Sequence, residues 1–341
     1  RPDLMLSRLG SRLSARGAVF ATATAFSASL TASLSSQAHA QAKPNVTEPP
    51  APGKFKLALI QLLCGNDKAE NIENASTKVR EAAAAGAQLI SLPECFNSPY
   101  GANFFPEYAE PVPTSMAAAT AAEHPTTHAL SALAKELKVY LVGGSFPERD
   151  TETGKLYNTC VVFGPDGSIL TKHRKMHLFD IDIPGKMTFF ESETLTGGDT
   201  LSLFDTPWGR VGLGICYDIR FPQLAHLLRE QGAHLLLYPG AFNTTTGPLH
   251  WELLARARAV DNQAFVATPS PARNPDSKYQ AWGHTSLISP WGKVVAKCEE
   301  GPSIVYADVD LAEVLPMRQA IRVHEQNRDD LYTLEWTATR S

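Results

Sequence analysis

The chain has 341 residues, 43% of them hydrophobic, and a formal charge of -4 at pH 7. That is enough chain for a large core in one or two domains, and the charge is too small to argue for nucleic acid or a strongly charged partner. The five cysteines (Cys64, Cys95, Cys160, Cys216, Cys298) are odd in number, widely spread and without Cys-x-x-Cys spacing, which speaks against a disulfide framework or a zinc site and for a reducing compartment.

Residues 1–53 differ from the rest. Arg1, Arg8, Arg12 and Arg16 are interleaved with Ser, Ala, Thr and Leu, and Asp3 is the only acid before Glu48. This is the Arg-rich, acid-poor composition of an organellar transit peptide, with a proline-rich linker at 43–52. A secretory signal is the competing reading, because 18–34 is mildly apolar and Ala38-His39-Ala40 resembles a cleavage site; the run is too rich in Thr and Ser for a good apolar segment. The expectation is an organellar matrix, the mitochondrion ahead of the plastid, or the cytosol if the segment is not a transit peptide. No stretch is long and apolar enough to span a membrane.

The folded part, 54–341, is read as one domain. Residues 56–61 form a strand, 67–85 an alanine-rich helix stopped by Gly86, and 87–92 a second strand ending at Pro93-Glu94. A helix follows at 125–138 and a strand at 139–143. Strands 157–163 and 168–172 flank the hairpin signal Pro165-Asp166-Gly167, and strands 201–204 and 211–215 flank Pro207-Trp208-Gly209. After Cys216, Asp218 reads as an N-cap and Pro222 as a first-turn proline, with Leu224, Leu227 and Leu228 at helical spacing and Gly232 as the stop. Then come a strand at 234–238, a helix at 250–261, a strand at 265–268, a hairpin turn at Pro290-Trp291-Gly292, a strand at 303–309 and a helix around 311–320. Helices alternate with apolar strands, hairpins are mixed in, and no internal repeat is visible. The class is α/β with mixed sheets.

Three chemical groups fall at strand ends: Glu94, Lys175 and Cys216. Sheet proteins place their sites at the carboxyl ends of strands. A carboxylate ending a buried strand is costly unless it has a partner or a task. A thiol between a strand and a helix start would feel the positive end of the helix dipole, which favours thiolate.

These contexts resemble the nitrilase (carbon–nitrogen hydrolase) superfamily, which carries a Glu-Lys-Cys triad in this chain order. The matching stretches are Leu92-Pro93-Glu94, His173-Arg174-Lys175-Met176-His177-Leu178-Phe179 and Gly214-Ile215-Cys216-Tyr217-Asp218-Ile219-Arg220. Residues 93–101, 178–186, 238–243, 245–248 and 281–284 are similar to its omega-amidase branch. The resemblance implies a four-layer α-β-β-α sandwich and a homodimer paired through a helical layer; no cofactor is expected, because no metal, nucleotide or flavin signature appears in the sequence. It implies Cys216 as nucleophile, Glu94 as general base and acid, and Lys175 with the Tyr217 N–H as oxyanion stabiliser. Glu191 enters only through the resemblance, as a second glutamate supporting the triad. The substrates implied are dicarboxylic monoamides, notably 2-oxoglutaramate and 2-oxosuccinamate, bound by Tyr100, Tyr217, Arg220, Phe242 and Asn243. Arg220 could equally pair with Asp218, and His177 reads as a supporting histidine. Phe190 stands where relatives often carry a more flexible or polar residue, and either tightens the pocket or packs. The competing functions are a nitrilase, an N-carbamoyl amide hydrolase, or a non-catalytic binding protein on the same fold.

Overall fold

The computed structural model describes residues 50–338. The targeting segment and linker expected at 1–53 therefore lie outside the described residues except for 50–53.

The first half of the fold comprises β1 (Lys54–Gln61), α1 (Lys68–Ala84), β2 (Leu89–Ser91), α2 (Phe105–Tyr108), α3 (Pro125–Leu137), β3 (Tyr140–Val142), β4 (Phe146–Arg149), β5 (Leu156–Phe163) and β6 (Ile169–Arg174). A small hairpin follows, β7 (Asp180–Ile183) and β8 (Met187–Phe190). The second half comprises β9 (Leu203–Thr206), β10 (Gly209–Leu213), α4 (Pro222–Glu230), β11 (Leu235–Leu237), α5 (Gly247–Asn262), β12 (Phe265–Thr268), β13 (Ser286–Ile288), β14 (Val294–Lys297), β15 (Ser303–Asp310) and α6 (Val314–Ala320).

Two mixed sheets result. One runs β15-β1-β2-β3-β5-β4, with β6 also paired to β5; the other runs β14-β13-β12-β11-β10-β9. Strands β1, β2 and β3 are parallel, as are β10, β11 and β12, and antiparallel strands complete each edge. The residue alternation of β1 shows why the sheets stack. Leu57 and Leu59 join Val211, Leu213 and Leu235 in the core between the sheets. Ala58 and Ile60 face the other way, onto Val79 of α1 and Leu130 and Leu133 of α3. A strand that is apolar on both faces must be covered on both. On the second sheet, Leu224 and Leu228 of α4 and Trp251 of α5 supply the outer cover. The order helix, sheet, sheet, helix follows from that patterning.

The helix signals act as read. Asp67 caps α1 by accepting from the Glu70 N–H at 2.9 Å, and Gly86 supplies a positive φ of 88° just past its end. One assignment is corrected. Asp218 is not the N-cap of α4: that position is Phe221, which makes no side-chain cap hydrogen bond. Residues Cys216–Arg220 form a separate 3-10 turn, and the Asp218 carboxylate reaches back to the Ile215 N–H at 2.9 Å. The β7–β8 hairpin and β4 are elements the pattern reading did not separate from loops. None of the described helices is long and apolar enough to cross a membrane.

Candidate active site

Strand β2 delivers Glu94. The chain turns at Pro93, against which the β3–β4 connection packs closely. Gly144 has φ +59°, and a Cβ there would lie 2.1 Å from the Pro93 carbonyl oxygen, so only glycine permits the approach. Glu94 is fully buried. Its Oε1 accepts from Asn158 Nδ2 at 2.9 Å and Lys175 Nζ at 3.1 Å, and its Oε2 from the Ala241 N–H at 2.7 Å.

Lys175 leaves β6 with its own N–H donated to the Asn158 carbonyl at 2.8 Å. Its ammonium is fully buried and lies 3.0 and 2.8 Å from the two oxygens of Glu191. Glu191 sits at the foot of β8, where it accepts from the Phe179 N–H at 2.7 Å and the Tyr100 hydroxyl at 2.9 Å. The ammonium is thus held between two carboxylates.

Cys216 follows β10 in the left-handed region, φ 47°. Its N–H donates to the Pro239 carbonyl at 2.8 Å, and Gly240 lies so close that a Cβ there would be 3.0 Å from Cys216 Cα. The thiol lies beside the Glu94 carboxylate, which acts on its protonation. The structure thus brings Glu94, Lys175, Glu191 and Cys216 into one site, each at most 3% exposed.

Burial of bare ions costs several kcal/mol each unless they are paired and hydrogen-bonded, and here each carboxylate has at least three donors. Burial raises Glu94 above the usual carboxylate range; Lys175 and the hydrogen bonds oppose that shift, and Glu191 adds to it. For Lys175, burial alone would favour loss of the proton, but Glu191 and Glu94 outweigh it and hold the ammonium well above the ordinary lysine range. The Cys216 thiol goes the opposite way from the helix-dipole expectation. Burial and the Glu94 carboxylate push it well above its ordinary value, and Lys175 only partly offsets them. The turn after Cys216 is only five residues long, too short for a large dipole, and the carboxylates are nearer. With the thiol favoured over the thiolate and a carboxylate beside it, any attack by this sulfur would be coupled to proton transfer.

Tyr217, Arg220, Phe242 and Asn243 line a tight cleft with Cys216, about 10 Å³ in volume. On the Glu94 side lies a larger chamber, about 610 Å³, lined in part by Tyr100, Phe189 and Asn274. Tyr279 borders both spaces. Its ring lies 4.2 Å from that of Tyr100. Tyr217 is the first residue after Cys216 in the turn, and no described acceptor takes its N–H. Arg220 does not pair with Asp218. Its Nη1 contacts His250 Nδ1 at 3.2 Å, its guanidinium lies 4.7 Å from the Phe242 ring, and its Nε is buried without a partner. No carboxylate among the described residues forms an ion pair with it. Asn243 spends its Oδ1 on the N–H groups of Thr245 and Thr246.

His177 is apart from Cys216: its Nδ1 lies 2.7 Å from Asp218 Oδ1 and its ring stacks on Phe221. Phe190 points outward, 37% exposed, while its neighbour Phe189 faces the chamber. Cys95 is a packed thiol, raised well above its ordinary value first by burial. Three groups escaped the sequence reading: Asn158, the Ala241 N–H and Tyr279. Only Asn158 left a signal, as an amide in a strand whose every residue is buried. Among the described residues, the one trio spaced to share a metal ion, His284, Glu299 and Glu300, is largely exposed.

Known proteins share the family and the fold of this chain. Residues 56–319 match the family model "Carbon-nitrogen hydrolase". The chain is 58% identical over 281 residues to the bovine omega-amidase NIT2, covering 82% of this chain and 98% of that protein, and 57% identical with the same coverage to the human omega-amidase NIT2. Among solved structures, it superimposes on Saccharomyces cerevisiae Nit3, a member of branch 10 of the nitrilase superfamily, with a TM-score of 0.74 and 45% identity over 81% of this chain and 97% of that one. An amidase from Nesterenkonia sp. shares the fold at 21% identity and a TM-score of 0.63, over 82% of this chain and 95% of that one.

The charge balance around the thiol gives a signed expectation. Glu191 contributes to raising Cys216. Glu191→Gln removes that charge while its amide oxygen can still accept from the Lys175 ammonium and hold it, so thiolate forms at lower pH. Iodoacetamide labelling of Cys216, followed across pH by peptide mapping, is expected to show its midpoint moved to lower pH. An unchanged midpoint, or one moved upward, contradicts this electrostatic account.

Proposed function

The chain belongs to the carbon–nitrogen hydrolase family, and from that premise we propose that it is an omega-amidase, hydrolysing the terminal amide of dicarboxylic monoamides such as 2-oxoglutaramate and 2-oxosuccinamate. The observation that carries the substrate class is Arg220. It is a cation in the same cleft as Cys216, pulled below the usual arginine range by burial, with a buried Nε that has no hydrogen-bond partner among the described residues. A cation left unpaired on the acyl side of the nucleophile suits a substrate that brings its own carboxylate.

The reaction then runs through the four buried groups. The amide carbonyl carbon lies against Cys216 Sγ, and Glu94 takes the thiol proton as sulfur attacks. The developing oxyanion is met by the Lys175 ammonium and the Tyr217 N–H; one such donor is worth about 3–4 kcal/mol of barrier. The tetrahedral adduct collapses as Glu94 returns the proton to nitrogen, and ammonia leaves. Cys216 is left as a thioester. Water enters, gives a proton to Glu94 and attacks the same carbonyl. Collapse of that adduct releases the dicarboxylate, with the proton restored to Cys216. Glu191 takes no proton in this scheme; it holds Lys175 in place, and Tyr100 holds Glu191.

A paired assembly is part of the proposal. Leu249 and Leu253 of α5 are 68% and 64% exposed, and Leu331 and Tyr332 near the C-terminus 67% and 62%, which is apolar surface that a second copy would cover. A monomer mass by light scattering removes that part. An organellar location rests on the composition of the first 53 residues, and import of a fluorescent fusion into isolated mitochondria tests it.

Ammonia release from 2-oxoglutaramate, beside a Cys216→Ala control, is the direct test. Release abolished by the substitution is expected. Arg220→Gln is expected to lower kcat/KM for 2-oxoglutaramate about 10- to 100-fold, the range of a hydrogen-bonded charge pair, while leaving hydrolysis of neutral pentanamide within about threefold. Equal losses on both amides contradict the carboxylate role, and activity confined to nitriles or carbamoyl amino acids contradicts the substrate class.

A further inference from the structure

Asp218 is a fully buried carboxylate that takes no part in the reaction above. Each of its oxygens is used twice. Oδ1 accepts from the His177 N–H at 2.9 Å and lies 2.7 Å from His177 Nδ1. Oδ2 accepts from the Ile215 N–H at 2.9 Å and lies 3.1 Å from His173 Nε2. Burial alone would raise this carboxyl, but hydrogen bonding to His173 and His177, with the Ile215 N–H, holds it below the usual carboxylate range. His173 is itself fully buried, with Nδ1 3.1 Å from Ser202 Oγ.

The positions of these partners carry the argument. His173 precedes Lys175 by two residues and His177 follows it by two, while Ile215 immediately precedes Cys216. The carboxylate therefore joins both sides of the lysine to the turn that presents the thiol, across 41 and 45 residues of sequence. Those two segments belong to different sheets: Lys175 follows a strand of the first, Cys216 a strand of the second. Cys216 also has φ 47°, a conformation that is strained for a non-glycine residue and persists only where the surroundings over-determine it.

We infer that Asp218 is a positioning residue: through His173 and His177 it fixes the left-handed Cys216 turn against the Lys175 strand, and so sets how closely the cation approaches the nucleophile. A buried ion is an expensive way to add stability alone. What it adds here is a fixed geometry between two sheets at the one place where that geometry decides the state of the thiol. The groups facing the thiol are Glu94 and Glu191, which raise it, and Lys175, which lowers it, with Arg220 and Tyr279 also near. Loosening the lysine side removes the only lowering influence among the first three.

This deepens the amidase reading for its kinetic arm only, because alkylation of Cys216 needs no substrate. With Asp218→Asn, kcat for 2-oxoglutaramate is expected to fall about 100-fold, the cost of misplacing a catalytic group, with KM within about threefold. The labelling midpoint of Cys216 moves to higher pH, since Lys175 no longer stands close. His173→Gln and His177→Ala shift kcat and midpoint in the same directions by smaller amounts. The double variant Asp218→Asn/His173→Gln is no worse than Asp218→Asn alone, because both break one connection. The inference is overturned if Tm falls while kcat and the midpoint stay as in the unsubstituted protein, or if the losses in the double variant add. Should Asp218→Asn fail to fold, the two histidine variants decide by the same readouts. If 2-oxoglutaramate is not hydrolysed at all, the labelling midpoint alone decides, and the amidase reading fails separately.

Discussion

The site depends on one arrangement: a buried lysine ammonium held between two buried glutamates. Lys175 contacts both Glu94 and Glu191 at 2.8–3.1 Å with all three side chains out of water. None of these ions could stay charged there alone. Together, with the N–H groups of Ala241 and Phe179, the Asn158 amide and the Tyr100 hydroxyl, they form a charged set with an excess of negative charge beside the thiol. Burial first, and that excess with it, raises Cys216 well above its ordinary value and favours the thiol at rest. On the proposed mechanism it is an advantage. The sulfur becomes nucleophilic only as its proton passes to Glu94, with a carbonyl in place to receive it, and the lysine is already fixed where the oxyanion forms, so little reorganisation is needed at that moment.

The architecture explains why such a set can be assembled. Glu94 and Lys175 come from strand ends of one sheet, Cys216 and the Ala241 N–H from strand ends of the other, and Glu191 from the small hairpin. The interaction therefore spans the seam between the sheets. Close backbone approach at Gly144 and Gly240 brings the turns into register, and Asp218 joins the two sides a second time through His173 and His177. A five-carbon monoamide laid across this seam would place its leaving nitrogen toward Glu94 and its free carboxylate toward Arg220, the one cation of the cleft with no acid of its own.

Much of this was legible in the sequence, and the boundary is instructive. The strand-end positions of Glu94, Lys175 and Cys216 could be read because apolar runs end abruptly in a chemical group. Residues 56–61 could be read as a strand, but that Leu57 and Leu59 are covered on one face of β1 and Ala58 and Ile60 on the other emerges only from the packing. Glu191 carried no local signal and came from family resemblance. Asp218 was read as a helix cap because an acid just after a strand and before a proline has that local appearance; beside the local Ile215 N–H, its histidine partners lie 41 and 45 residues away. The helix-dipole expectation for Cys216 failed for a related reason: the burial that raises the thiol most, and the Glu94 and Glu191 carboxylates that add to it, come from tertiary packing with segments remote in sequence. Asn158 and Tyr279 meet the site only through tertiary contacts, which no local pattern encodes. The β7–β8 hairpin did have a pattern, the Asp180-Ile181-Asp182-Ile183 alternation before Pro184-Gly185, but its faces are not deeply buried.

The central claim is that amide cleavage passes through sulfur. Rapid acid quench of the enzyme with 2-oxoglutaramate during turnover, followed by peptide mapping, tests it most directly. The account predicts a transient adduct on the Cys216 peptide, of the mass of the substrate less ammonia, forming and decaying fast enough to carry the measured rate. Turnover with Cys216 unlabelled at every time point, or with the label on Cys95, would contradict it.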